Sequence, residues 1–253
     1  MIVDDPAPLA PDGNRCGTAR GDEVVTVRDA IVVRGGWEGH VPVAATEVFI
    51  PFLREQGFAV EVHDDLAVYT DAARLAAADL IVQCWSIGTI TDAQVRGLAA
   101  AVRAGTGFAG WHGGIVGSFH HNTYHQLTGG VFVYHPPGFV DHELTVLPDR
   151  ADHPIVAGID RVALHTEKYW VLTDPLNDVL ATVTFDPDEP EAIADGAETT
   201  PWRRRVTFPA VWTRTWGAGR VFVSTVGHRV ADLTVPPIRT LTERGLLWAA
   251  RRH

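Results

Sequence analysis

Four short apolar runs alternate with four amphipathic ones between residues 31 and 130, and this alternation limits the fold more than any other feature of the chain. The apolar runs are Ile31-Val32-Val33, Phe58 to Val62, Asp79 to Trp85 and Gly107 to Gly110. They are short and rich in β-branched or aromatic residues, the signature of strands buried on both faces. A β-α-β-α-β-α-β-α order predicts a parallel sheet with right-handed crossovers and helices on both faces.

The intervening segments carry helix signals. Pro42 suits a first helical turn, and Ala45, Val48, Phe49, Phe52 and Leu53 then form one apolar stripe that Pro51 should kink and Gly57 should end. Ala72 to Ala77 reads as a short helix. Thr91-Asp92-Ala93-Gln94 has the form of a capping box, with Val95, Leu98, Ala99 and Val102 on one face and Gly105 as the closing glycine. Ile115 to about Leu127 reads as a helix closed by Gly129-Gly130.

From Val131 to Arg220 the pattern changes. Short β-rich runs, Phe139 to Leu147, Val179 to Phe185 and Val206 to Trp212, alternate with loops heavy in Pro and Asp, which predicts an antiparallel extension or an insertion carrying site loops. Arg220 to Thr225 reads as a last core strand and Pro237 to Arg252 as a final helix. Residues 1–22, rich in Pro, Gly, Ala and Asp without periodicity, read as a poorly ordered leader or surface arm, and 23–253 as a single domain.

Composition narrows the function. With 46% hydrophobic and 21% charged residues in 253, a sizeable core is expected. A net charge of −10 without a Lys/Arg run disfavours nucleic acid and anionic membranes. No stretch approaches the roughly 20 apolar residues of a membrane span. The two cysteines, Cys16 and Cys84, read as reduced thiols of a cytoplasmic protein. Eight tryptophans and 12 histidines, many beside Gly or Pro, sit at expected element ends, where ligand sites are built. The exposed aromatics are compatible with a homo-oligomer.

In an open parallel sheet, ligands bind beyond the carboxyl ends of the strands. That rule selects Trp37-Glu38-Gly39-His40, Cys84-Trp85-Ser86, Trp111-His112-Gly113-Gly114 and Gly227-His228. Gly110-Trp111-His112-Gly113-Gly114 has the shape of a nucleophile elbow with histidine in the nucleophile's place. At a helix N-terminus a neutral imidazole is expected, able to act as base, donor or metal ligand. The amides of Gly113 and Gly114 could hold an oxyanion. Glu38 and His40, in one turn, could pair as acid and base or bind a metal, or form an ordinary solvated loop. His121 and His125 have i, i+4 spacing but read as chance. Cys84 reads as a small buried hydrophobe. His165 to Trp170 gathers an acid, two aromatics and a base, a grouping that suits sugar rings or an ordinary core rim.

Gly105 to Gly114, Asn122-Thr123-Tyr124, Gly129-Gly130 and His135-Pro136 resemble the ThuA-like (trehalose-utilisation) family. So do Gly35 to His40, Glu167-Lys168-Tyr169, Asp174 to Thr182, Gly217 to Phe222 and Gly227-His228. The matches run in order from about residue 31 to 250. The resemblance implies a flavodoxin-like, class I glutamine amidotransferase-like three-layer sandwich with a mostly parallel sheet and a β-rich extension in its second half. It implies a role in carbohydrate use, on keto-disaccharides such as oxidised trehalose or on related glycosides. It does not imply glutaminase activity, which needs cysteine at the elbow.

Carried across, the resemblance implies a pocket lined by His112, Glu38, His40, His135, Glu167 and His228, with Trp37, Trp85, Tyr124 and Tyr169 around it. Asn122, Gly113 and Gly114 join as binding residues. Where the family often has a D-x-F-R string, this chain has Gly117-Ser118-Phe119-His120, which adds His120 and points to a different specificity.

The expectation is thus an enzyme acting on a small carbohydrate, with His112 as base or metal ligand and Glu38 or Glu167 as its carboxylate partner. No cofactor is required by the sequence. A divalent metal such as zinc, held by His40, His112 and His228, is a subsidiary expectation. The rivals are a non-catalytic carbohydrate-binding module on a retired amidotransferase fold and a classical hydrolase using Cys84 or a serine.

Overall fold

The computed structural model of the protein describes residues 28–187 and 202–252; the expected leader, 1–22, lies outside them. The predicted apolar runs become β1 (Arg28–Gly36), β2 (Phe58–His63), β3 (Leu80–Ser86) and β4 (Gly107–Trp111). The second half supplies β5 (Gly130–Tyr134), β6 (Val140–Val146), β7 (Arg161–Thr166), β8 (Trp170–Thr173), β9 (Asp178–Phe185), β10 (Val206–Trp216) and β11 (Gly219–Ser224). Nine strands form one sheet in the order β2-β1-β3-β4-β11-β10-β9-β6-β7, and β5 pairs with β8 in a separate ribbon. The first five strands in that order are parallel to their neighbours, and the rest run antiparallel. The parallel part is thus a flavodoxin-like sheet, and the β-rich second half is its antiparallel extension.

Alternate residues of one strand feed the two faces, as the strand period requires. Ala30 and Val32 of β1 pack with Ala45, Phe49, Ile50 and Leu53, from the segment after β1, and with Ile238, Leu241 and Leu246. Ile31 and Val33 pack on the opposite face with Leu75, Val95, Leu98, Val102 and Leu127. Each such aliphatic side chain, fully buried, contributes roughly 1.5–3 kcal/mol. The first face is covered by α1 (Pro42–Glu47), α2 (Ile50–Glu55) and, late in the chain, α7 (Pro236–Ala249). The second is covered by α3 (Ala72–Ala77), α4 (Asp92–Ala104), α5 (Gly113–Val116) and α6 (Asn122–Thr128).

Local chemistry sets the element ends. Pro51 breaks its helix rather than bending it, and falls in the first turn of α2. Both halves of the Thr91/Gln94 capping box are formed at the start of α4. The single helix expected over 115–127 is divided into α5 and α6. Its break lies where Ile87 N donates to Gly117 O at 3.0 Å and Gly88 N to Ser118 O at 2.8 Å, so those carbonyls serve the loop after β3.

Candidate functional site

Among the described residues three non-glycine residues have positive φ, Val41 at 42°, Ile87 at 51° and His112 at 51°, and they follow β1, β3 and β4 at their carboxyl ends. For β-branched Val and Ile such a backbone is a true outlier, and strain of this kind concentrates at functional sites. His112 lies in one of the strand-end loops selected from the sequence, and Val41 and Ile87 each stand one residue past another.

At the elbow, β4 ends in Trp111, and His112 turns into α5 with φ 51° and ψ −146°. The turn is fixed by His112 N donating to Ser224 O of β11 at 2.7 Å. The ring is buried, and its Nδ1 lies 2.9 Å from the Thr225 carbonyl. A carbonyl only accepts, so Nδ1 carries a proton and donates. The other nitrogen, Nε2, lies 3.0 Å from Glu167 Oε2 and 2.7 Å from the Tyr169 hydroxyl. Tyr169 also stacks on the ring, centroid to centroid 4.1 Å.

Two further histidines close around this pair. His40 ends the single turn Glu38–His40 after β1, and its ring meets those of His112 and His228 edge to face at 4.8 and 5.0 Å. Gly113 permits the first approach: a Cβ there would lie 2.3 Å from His40 Cε1. Upstream, Gly36 permits the strand end itself, since a Cβ would lie 2.0 Å from Ser86 O, the atom that accepts from Trp37 N. His228 follows β11 and places Nδ1 3.1 Å from Glu167 Oε2, off the hydrogen-bonding direction, so that it has no hydrogen-bond partner among the described residues.

Glu167 arrives from β7, the far edge of the sheet. Its strand end is pinned across the fold, with Thr166 Oγ1 donating to Asp232 at 2.6 Å and Arg229 donating to His165 O at 2.6 Å. Both partners lie within a few residues of His228, and these bonds draw the carboxylate to the imidazoles. Its second oxygen, Oε1, lies 3.6 Å from His135 Nε2 at the half-exposed rim. Trp37, 47% exposed, and Phe139, 37% exposed, form an aromatic lip over His40 and His228, with ring centroids 4.8 and 5.1 Å away.

Burial sets the protonation states. It pushes His40 down to about 3, helped by the like charge that His112 and His228 would carry. Burial also lowers His112 against the pull of Glu167. For Glu167 burial works upward, but the facing His112 and His228 outweigh it and hold the carboxyl below the usual range. Burial thus favours neutral His40 and His112 rings, and Glu167 is ionised. Tyr169 is raised by burial and then by Glu167, so its phenol keeps its proton.

The structure thus gathers His40, His112, Glu167, His228, His135, Tyr169, Gly113 and Trp37. One ligand atom from each of His40, His112, Glu167 and His228 lies within 4.8 Å of all the others, a grouping among the described residues that could hold a metal. It does not bring the other candidates there. Glu38 is exposed in its turn. Tyr124 is buried in the second apolar face, donating to Ile115 O at 2.8 Å. Trp85 covers Gly35 and Gly88, and Gly114 presses on the Cys84 backbone, where a Cβ would lie 2.9 Å from Cα. Asn122 is an exposed first residue of α6. His120 lines a separate cavity of about 560 Å³ with Ile87, Phe119 and Phe132, to which none of the four contributes. Burial raises the Cys84 thiol to about 12, far from a nucleophile. Phe139 and Thr225 were not among the candidates. Phe139, following Pro136-Pro137-Gly138, carried the same signal of an aromatic beside turn residues.

The mixed α/β fold agrees with the comparisons to known proteins. The family model described as "ThuA: Trehalose utilisation" matches residues 29–249, and the chain belongs to that family. Membership connects it with trehalose utilisation. Among solved structures it is similar to a ThuA-like protein of Bacteroides uniformis, with TM-score 0.68 and 18% identity over 92% of this chain and 95% of that one. A ThuA-like protein of Parabacteroides merdae gives 0.63 and 15% over 88% and 90%. A Salmonella typhimurium protein described as cytoplasmic gives 0.57 and 13% over 89% and 100%. At these identities the likeness shows the fold alone. No curated protein sequence matches the chain. No helix among the described residues is long and apolar enough to cross a membrane.

Proposed function

We propose that this protein is an enzyme of carbohydrate utilisation, acting on a sugar or glycoside that carries a carbonyl, such as a keto-disaccharide. The observation that supports it is the enclosure of one carboxylate, Glu167, by the buried rings of His112, His40 and His228 at the carboxyl ends of β7, β4, β1 and β11. A buried polar cluster of this kind costs stability unless it is used. In this reading the His112–Glu167 core, a pair of proton acceptors, takes a proton from the sugar beside its carbonyl. His135, reachable at the rim, and the Tyr169 hydroxyl move the proton next to it. Trp37 and Phe139 offer their faces to the sugar ring's C–H surface. The chemistry is proton transfer beside a carbonyl, leading to isomerisation or to elimination of a glycosidic leaving group. With histidine at the elbow, glutaminase chemistry is not part of the reading. The description of the Salmonella neighbour supports a cytoplasmic location.

The test is incubation with keto-disaccharides, oxidised trehalose among them, followed by NMR of the products. Wild-type protein is expected to turn over at least one, and His112→Ala and His135→Asn to lose most of that rate while retaining their circular dichroism. Turnover untouched in the folded His112→Ala variant would sink the assignment. Saturable sugar binding with no product, at stoichiometric enzyme and long incubation, would establish the binding-module alternative instead.

A further inference from the structure

We propose that His40, His112, His228 and Glu167 bind one divalent transition-metal cation, with zinc as the best match to the ligand set. The inference rests on the reading of this cluster as the reactive centre, and it is tested independently of that reading.

Hydrogen-bond accounting leads to it. His112 spends its Nδ1 proton on the Thr225 carbonyl at 2.9 Å. In a neutral ring Nε2 is then an acceptor that takes the Tyr169 O–H at 2.7 Å, yet it also faces the Glu167 carboxylate at 3.0 Å, acceptor against acceptor. His228 Nδ1 stands 3.1 Å from the same oxygen without a hydrogen bond. His40 Nδ1 is buried with no hydrogen-bond partner among the described residues. Buried polar atoms are seldom left so, and a shared explanation is preferable to three separate ones.

Protons are the competing explanation. Charging all three rings, whose centroids lie 4.8 to 5.3 Å apart, would set three positive charges against one carboxylate in a buried site. A single cation bonded to all four groups satisfies the same lone pairs without that repulsion.

The geometry fits a four-ligand metal centre that can expand to a fifth ligand. Zinc bonds of about 2.0–2.2 Å to nitrogen and oxygen put tetrahedral ligands roughly 3.4 Å apart. The four ligand atoms already lie within 4.8 Å of one another, so small side-chain rotations close the set. Three imidazoles and a carboxylate form a borderline ligand set suited to zinc and its first-row neighbours rather than to magnesium or calcium. Outer partners are present as well. The Thr225 carbonyl fixes the His112 tautomer that exposes Nε2, and His135 Nε2 stands 3.6 Å from the remaining Glu167 oxygen. The side beneath Trp37 and Phe139 is where a sugar oxygen would enter the coordination sphere. The cation would act there as a Lewis acid on a carbonyl.

The experiment uses full-length protein without a His tag, stripped with chelator and titrated calorimetrically with Zn²⁺, then with Mn²⁺, Ni²⁺ and Mg²⁺. Zn²⁺ is expected to bind one per chain with micromolar or tighter affinity and to raise the melting temperature, and Mg²⁺ to bind far more weakly. His40→Gln, His228→Gln and Glu167→Gln should each weaken Zn²⁺ binding at least tenfold. X-ray absorption should show only N/O ligands at about 2.0–2.2 Å. The proposal is overturned if folded, stripped protein binds none of these cations at one per chain. It is equally overturned if affinity is unchanged in all three variants. Tight zinc binding without turnover of any sugar would leave the metal site standing and remove the enzymatic reading.

Discussion

Glu167 Oε2 faces His112 Nε2 at 3.0 Å although the two residues follow β7 and β4, strands separated in the sheet by β11, β10, β9 and β6. The contact exists because the antiparallel half brings its outer strand end back over the parallel half. There the Thr166–Asp232 and Arg229–His165 bonds hold it. The site is therefore assembled from both halves of the fold.

Glu167 and Glu38 were equal candidates for the carboxylate on sequence grounds, and the structure separates them. Glu167→Gln keeps the size and removes the charge that the rings surround. It should reduce turnover by two orders of magnitude or more, in line with the loss of a transition-state interaction of about 2.7–4 kcal/mol. Glu38→Gln, in an exposed turn, should leave kcat/KM within about twofold. Steady-state kinetics on the same sugar decides between them, and equal losses in the two variants would remove Glu167 from its special place.

Gly113 offers a test that alters no polar group. An alanine Cβ there would lie 2.3 Å from His40 Cε1, 2.7 Å from His40 Nδ1 and 3.2 Å from the Tyr169 hydroxyl. Either His40 swings out or the elbow shifts. Gly113→Ala is expected to cost about 1–3 kcal/mol, as overpacking does, and to weaken Zn²⁺ binding more than tenfold. Thermal denaturation and metal titration measure the two effects. An unchanged metal affinity would mean that His40 is not a ligand.

Cys84 lies in the first apolar face, 3% exposed, and its burial pushes the thiol up to about 12. In a Cys16→Ser background the native protein should resist a thiol reagent at pH 8, and denatured protein should react with one equivalent. Cys84→Ala should keep its activity. A labelled native thiol with matching loss of turnover would revive the cysteine-hydrolase reading.

What the sequence displayed and what it hid follow from the range of the forces involved. Alternate burial along Ile31-Val32-Val33 and the Thr91/Gln94 box are local, so the parallel half was legible. So were the strand-end loops, because glycines at 36 and 113 mark close approaches. The break between α5 and α6 was not legible, since Gly117 and Ser118 give their carbonyls to Ile87 and Gly88, a tertiary contact. Nor was the β5–β8 ribbon, whose short strands pair Gly130 with Thr173 across a long separation. The choice of Glu167 over Glu38 belongs with these. Both sit beside aromatics and histidines in the chain, and only the return of β7 tells them apart.

Asp174 gives a pH prediction away from the imidazoles. Its carboxylate accepts from Leu176 N at 2.8 Å and from the buried Arg214 at 3.2 Å, and Arg214 also donates to Asn177 Oδ1 at 3.1 Å. Asn177 in turn donates to Gly129 O at 2.7 Å, so this turn ties β8 and β10 to the end of α6. The Leu176 amide lowers the Asp174 pKa most, burial opposes it, and Arg214 adds to the lowering. The folded value thus lies below the unfolded one of about 3.9. In the interval between them the unfolded chain binds the extra proton. The stabilisation is therefore complete above the unfolded value and is lost as pH falls through the folded one. With the carboxylate partly exposed, solvent limits the ion pair to about 0.5–1 kcal/mol. Asp174→Asn should lower stability by that amount at pH 7 and converge on wild type once pH has fallen below the folded value. Urea denaturation at a series of pH values checks this, and parallel curves for the two proteins would show that Asp174 is not the group being titrated.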